Sequence, residues 1–245
     1  SLPILQAEAI MIMSDNAANE ELIIKLAEDK NKHVREAAYK ALARLGTKTS
    51  IEKLKDIYLN NKNKTNLPLI VSALASTKLP FVFQEVFDQV VKSFEEFIAL
   101  NKDEKDKVLS DKLERFSYEL EIFGNKNRPE VMEFFSRVLT NKEYNDLIFA
   151  KKSLLEYIAS NITQEILKGL KSFSKAQIIE FYEANVDKIP ESNWKRSLWG
   201  HYFYDAVEAN YPKEKMFDIF APQFKRNTVT IDHLYTAYTN DEEYY

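Results

Sequence analysis

Residues able to carry chemistry are few in this chain and widely spaced. Its three histidines, His33, His201 and His233, have no second histidine or carboxylate pair at metal-binding helical spacing. Cysteine is absent, which excludes disulfides, cysteine-zinc sites and thiol nucleophiles. Four scattered glycines cannot build a phosphate-cradling loop, and no GxSxG elbow occurs. The acidic pairs Glu20-Glu21, Glu95-Glu96 and Glu242-Glu243 are adjacent, so on a helix they diverge by about 100°. They read as solvated faces, not acid/base dyads. No catalytic residue, metal ligand or cofactor site is expected, and the chain reads as a non-enzyme. The densest cluster is Trp194-Lys195-Arg196 with Trp199, His201, Tyr202 and Tyr204, and it holds both tryptophans. Such an aromatic and basic stripe suits a protein anchor, in which Lys195, Arg196, Trp199 and Tyr202 would touch the partner. Core packing of a helix with two aromatic ends explains it too and is the favoured reading, with Trp199 the exposed member.

The elements that must position these residues are helical. The chain has 245 residues, with only 4 Gly and 7 Pro as punctuation. Lys, Glu, Leu, Ala and Ile are frequent, and no long alternating Val/Thr run suggests a sheet. Charge is 34 basic against 38 acidic residues, a net of −4 with the signs interspersed. A nucleic-acid footprint would need a basic excess, at least locally. No apolar run reaches the length of a membrane span, and the apolar opening of the chain is too short for one. A soluble, cytoplasmic protein is the expectation.

The strongest pattern lies in residues 31–47. Val34, Ala37, Ala38, Ala41, Leu42 and Leu45 form a one-sided helical stripe. Moved 33 positions on, five of the six land on Leu67, Ile70, Val71, Leu74 and Ala75. Leu5, Ala9, Ile12 and Met13 stand 29 positions before Val34, Ala38, Ala41 and Leu42. A repeat of that length, built as helix, turn, helix, predicts an α-solenoid. The chain is expected to open on the second helix of a repeat, as a fragment of a longer protein.

Local signals place the remaining elements. Asn19 is the expected cap for 20–28, Asn31 for the helix ending before Gly46, and Thr49 with Glu52 makes a capping-box spacing. Phe83 to Ile98 carries one amphipathic face, and Leu109, Leu113, Phe116, Leu120 and Phe123 a heptad-like seam. Pro129 starts the next helix. Leu147, Ala150, Leu154 and Ile158 mark another, Ile166, Leu167 and Leu170 a separate one, and Ser174 with Gln177 can box the next. Further helices are expected over 191–209, from Pro212, and over 229–238. The total is about twelve helices, or six antiparallel pairs, in a single module over 1–245. Residues 1–79 form regular repeats and 80–245 longer, irregular pairs.

Residues 32–46 resemble the second helix of a HEAT repeat. The family's Val-Arg, small inward residues, Ala-Leu and closing Gly are here Val34-Arg35, Ala37-Ala38, Ala41-Leu42 and Gly46. The likeness covers about residues 2–76 and departs at Pro68, where the family favours Arg. It implies an α-α superhelix of the HEAT and armadillo type that binds protein or nucleic acid without catalysis. It also implies that Asp29 and Arg35 tie neighbouring repeats, with Val34, Ala38 and Leu42 inward. The His-Glu pairs of the family's di-iron hydroxylases are absent. The leading expectation is a protein-interaction or scaffold module, using a surface of second helices that includes Lys40 and Arg44. Nucleic-acid binding, or base excision like that of HEAT-like alkylpurine DNA glycosylases, is the alternative that the acidic balance disfavours.

Overall fold

The structure, a computed structural model, describes residues 2–60 and 66–188, with positions 215, 216, 218 and 221. The cluster of Trp194, Lys195, Arg196, Trp199, His201, Tyr202 and Tyr204, the expected helices 191–209 and 229–238, and His233 lie outside the described residues. Within them every regular element is helical and none is a strand. The eleven α-helices there agree with the all-α solenoid class. The chain divides into two compact units, Ser1–Lys126 and Asn127–Tyr245.

In the first unit, α1 (Leu2–Met13), α2 (Glu20–Leu26), α3 (Lys32–Leu45), α4 (Lys48–Asn60), α5 (Leu67–Ser76), α6 (Phe83–Ile98) and α7 (Asp106–Leu120) stack in two layers. α3 packs between α1 and α5, and α5 meets α7, which makes one row. α2, α4 and α6 make the other. This is the arrangement of a helical repeat, where each pair can bury its apolar faces only against its neighbours.

The boundaries follow from local chemistry. Asn31 caps α3 by accepting from the His33 backbone N at 2.9 Å. Gly46 ends it at φ 61°, the left-handed position that glycine adopts without a Cβ clash. α4 starts two residues earlier than a Thr49–Glu52 box would set it, because Thr47 Oγ1 accepts from Ser50 N at 3.1 Å. Asn19 makes no side-chain cap for α2; Asn16 instead caps the 3-10 turn Ala17–Asn19 that leads into it.

Val34, Ala37, Ala38, Ala41 and Leu42 are buried, and Leu45 is half-buried. The shifted set Leu67, Ile70, Val71 and Leu74 is buried in α5. The stripe does not carry back to α1. There Ile10 is buried while Leu5, Ala9 and Ile12 are exposed. The reason is that LPILQAEAIMIM is apolar on every side, so its pattern selects no face. Between α6 and α7 the contact is aromatic, with Phe94 and Phe116 centroids 5.1 Å apart, and Phe87 of α6 meets Phe123, in the 3-10 turn Glu121–Phe123 after α7, at 5.7 Å.

In the second unit, α8 (Pro129–Thr140), α9 (Lys142–Ala150), α10 (Lys152–Leu170) and α11 (Lys175–Asn185) follow. α10 is one continuous helix where two were expected, and the break falls at Lys151, whose φ −120° and ψ 37° are not helical. That break resets the phase, so Leu155, Ala159 and Ile162 point inward while Leu154 is exposed. Ser174 and Gln177 form the expected box, with Gln177 N donating to Ser174 Oγ at 3.3 Å and Ser174 N to Gln177 Oε1 at 3.1 Å. Buried Asn185 accepts from Ser136 Oγ and so ties α11 to α8.

Candidate interaction surface

The layer of α1, α3 and α5 presents a groove along the seam between α1 and α3. Its cavity volume is about 610 Å³. Ile4, Ala7, Met11 and Ile12 of α1 and Ala37 of α3 supply its apolar lining. Glu8, His33, Glu36 and Lys40 supply the polar part. Ile4 is 54% exposed and Ile12 72%, with Leu5 beside them at 62%. Single exposed apolar residues are ordinary; three on one short helix flanking a groove are a patch. On the α3 side small Ala37 lines the groove, where a Leu or Phe would fill the space.

Two of the sequence candidates stand on this layer. Lys40 lies in the groove, exposed, with Nζ 3.0 Å from Glu36 Oε1 one turn earlier. Arg44 sits a further turn along and reaches Asp15 after α1, with Nη2 and Oδ1 2.5 Å apart. Both pairs are well exposed, so each contributes roughly 0–1 kcal/mol. The structure thus places Lys40 and Arg44 on one helix face.

Val34, Ala38 and Leu42 are core residues of α3. Arg35 and Asp29 share the intra-repeat turn without pairing side chain to side chain. Arg35 Nη1 donates to the carbonyl oxygens of Asp29 at 2.7 Å and Lys30 at 2.9 Å. Its Nη2 donates to Asn66 Oδ1 at 3.1 Å, ahead of α5 in the next repeat. The Asp29 carboxylate accepts from Asn31 N at 2.7 Å and shapes the turn. Glu20 has a comparable role on the other layer, accepting from Thr47 Oγ1 and Ser50 Oγ at the start of α4.

Two buried ionisable groups went unread in the sequence. Glu119 of α7 is fully buried, with Oε1 accepting from Arg115 Nε at 3.0 Å. Tyr58 of α4 and Ser93 of α6 aim hydroxyls at the same carboxylate. Yet Glu119 Oε2 and Tyr58 Oη lack a well-formed hydrogen bond. Burial raises the Glu119 carboxyl above the usual range, and Arg115 with the two hydroxyls opposes it. The signal available was spacing: Glu119 follows Phe116 by three and precedes Phe123 by four, inside the seam.

Lys126, the last residue of this unit, is buried and donates to the carbonyls of Ala75, at 3.1 Å, and Thr77. It thereby closes the C-terminal end of α5, where a helix leaves carbonyls unpaired. Burial lowers its ammonium to about 8. No local pattern marks this role, because the partners lie 51 and 49 residues away.

Among the described residues no three histidine, aspartate or glutamate side chains gather as a metal site would need. No described helix is long and apolar enough to cross a membrane. Comparison with known proteins adds one match: residues 2–81 fit the family model for HEAT repeats. No curated protein and no solved structure matches the chain. The matched segment runs from α1 past the end of α5, the stretch where the two rows of helices and the Arg35 tie are found. Residues 2–81, about a third of the chain, are thus similar to HEAT repeats.

Proposed function

We propose that the chain is a non-enzymatic interaction module that binds protein on its row of second helices, α1, α3 and α5. The observation that carries this reading is the apolar groove between α1 and α3, with Ile4 and Ile12 exposed along it. A protein surface with that composition gains by covering it, at roughly 25 cal/mol per Å² of apolar area removed from water. Lys40 at the groove and Arg44 a turn beyond add polar contacts at its edge, which favour orientation more than affinity. The net charge of −4 gives nucleic acid no comparable foothold.

Affinity capture with the wild-type chain and with Ile12→Asp tests the reading. Ile12 is 72% exposed, so the variant should keep its fold and change stability by no more than about 0.5 kcal/mol. Quantitative mass spectrometry is expected to show a specific protein partner held by the wild type and depleted at least tenfold from the variant. Equal capture by both, or no specific partner under gentle washing, would count against it. A salt-sensitive gel shift with DNA or RNA would favour the nucleic-acid alternative.

A further inference from the structure

We infer that the α1–α3 groove receives an amphipathic α-helix of a partner protein, its apolar ridge in the groove and a Lys or Arg against Glu8. This rests on the interaction-module reading and narrows it to one kind of occupant. The groove's dimensions are those of a short helical contact. From Ile4 to Ile12 is eight residues of α1, about 12 Å at 1.5 Å per residue, and His33 to Lys40 of α3 is about 10 Å. That is two helical turns, which a guest helix fills with side chains at i, i+3 or i+4, and i+7. Both walls are helices whose backbone groups are already bonded within themselves. An extended guest would find no sheet edge to join along these helices, whereas a helix brings its own backbone bonds satisfied.

Charge selects the guest further. Besides His33, the lining holds two acids, Glu8 and Glu36, and one lysine, Lys40, so carboxylates outnumber ammonium groups there. Glu36 and Lys40 pair with each other at 3.0 Å. Glu8 is the sole charge on α1, is exposed, and has no ionic partner among the described residues. A guest that covers Glu8 without a counter-charge would strip its water for nothing. A basic residue beside the apolar ridge supplies the missing charge. The same residue argues against a second copy of this chain. Glu8 is midway between Ile4 and Ile12, so a two-fold antiparallel pairing of α1 helices through that face would set Glu8 against Glu8.

A display library of helical 15-mers tests this, with Leu fixed at i, i+4 and i+7 and the flanking positions randomised. It is selected in parallel on the full 245-residue chain, on Glu8→Lys and on Ile12→Asp, each checked for helicity by circular dichroism. The wild type is expected to enrich peptides with Lys or Arg beside the Leu ridge, and Glu8→Lys to enrich Asp or Glu there. A synthetic peptide from the wild-type pool should bind at least tenfold more weakly to Glu8→Lys by fluorescence anisotropy, with less difference in high salt. Three results overturn the inference. One is a library that enriches nothing on the wild type beyond Ile12→Asp, even where a cellular partner is lost from that variant; the module reading then survives without the helix. Another is a selected peptide that binds wild type and Glu8→Lys alike. The third is a concentration-dependent dimer of the wild type, by light scattering, that Ile12→Asp dissolves.

Discussion

Arg35 illustrates how one side chain can join two repeats. Its guanidinium donates to the Asp29 and Lys30 carbonyls and to Asn66, so three elements meet on one planar fork. Arg35→Ala should leave two turn carbonyls and Asn66 without that donor, at a cost of about 1–3 kcal/mol in urea unfolding. Arg35→Lys is expected to recover only part of this, because a point-like ammonium cannot span the same acceptors. Lys126 gives a separate, pH-dependent signature. Its ammonium loses a proton near 8 in the folded state, against roughly 10.4 for an unfolded lysine. Between these values the unfolded chain holds more protons, so the stability contribution rises with pH across that window and is flat below it. Urea midpoints measured from pH 7 to 10 should show that rise in the wild type relative to Lys126→Met; parallel profiles for the two would refute it.

Helices with two-sided composition announced their own faces, and helices without it did not. α3 and α7 bury the residues their periodicity marks, from Val34 to Leu42 and from Leu109 to Leu120. α1 has no polar face to oppose an apolar one, so its own composition did not select the side that packs against α3. In α7 the seam also carried an acid inward. Glu119 sits where Tyr58, Ser93 and Arg115 converge from α4, α6 and its own helix. Because burial raises this carboxyl, the folded state binds its proton more tightly than the unfolded chain, whose value is roughly 4.3. Stability from this group is therefore greatest below that value and falls as pH climbs through the folded value. Glu119→Gln cannot ionise and keeps an acceptor for Arg115. Its denaturation midpoint is expected to gain on the wild type as pH rises above 4; a constant difference would show that the carboxyl titrates alike in the folded and unfolded chains and would refute the shift.

For the molecule as a whole, repetition shortens the range over which packing must be organised. Within Ser1–Lys126 each helix packs on neighbours in the two rows, and Lys126 returns to the end of α5. A fragment of residues 1–126 is expected to be helical and to unfold in one cooperative thermal transition by circular dichroism. Leu42→Ala, which empties a fully buried site, should lower its stability by about 2–5 kcal/mol. A broad, non-cooperative melt of the fragment would show that these residues are not a folding unit by themselves.

The sequence by itself determined the helices of the first unit, their caps at Asn31 and Gly46, the inward stripe of α3 and the HEAT-repeat character of the segment around it. Those features are local, set by 3.6-residue periodicity and by residues that bond backbone within a turn. It also marked Lys40 and Arg44 as surface residues of a second helix. Only the tertiary structure decided which side of α1 is covered, that α10 runs unbroken from Lys152 to Leu170, and that Glu119 and Lys126 are buried. Each depends on partners far away in the chain or on a phase change at one non-helical residue, Lys151. The groove belongs to this second group: it exists because α1 and α3, separate in the chain, lie side by side.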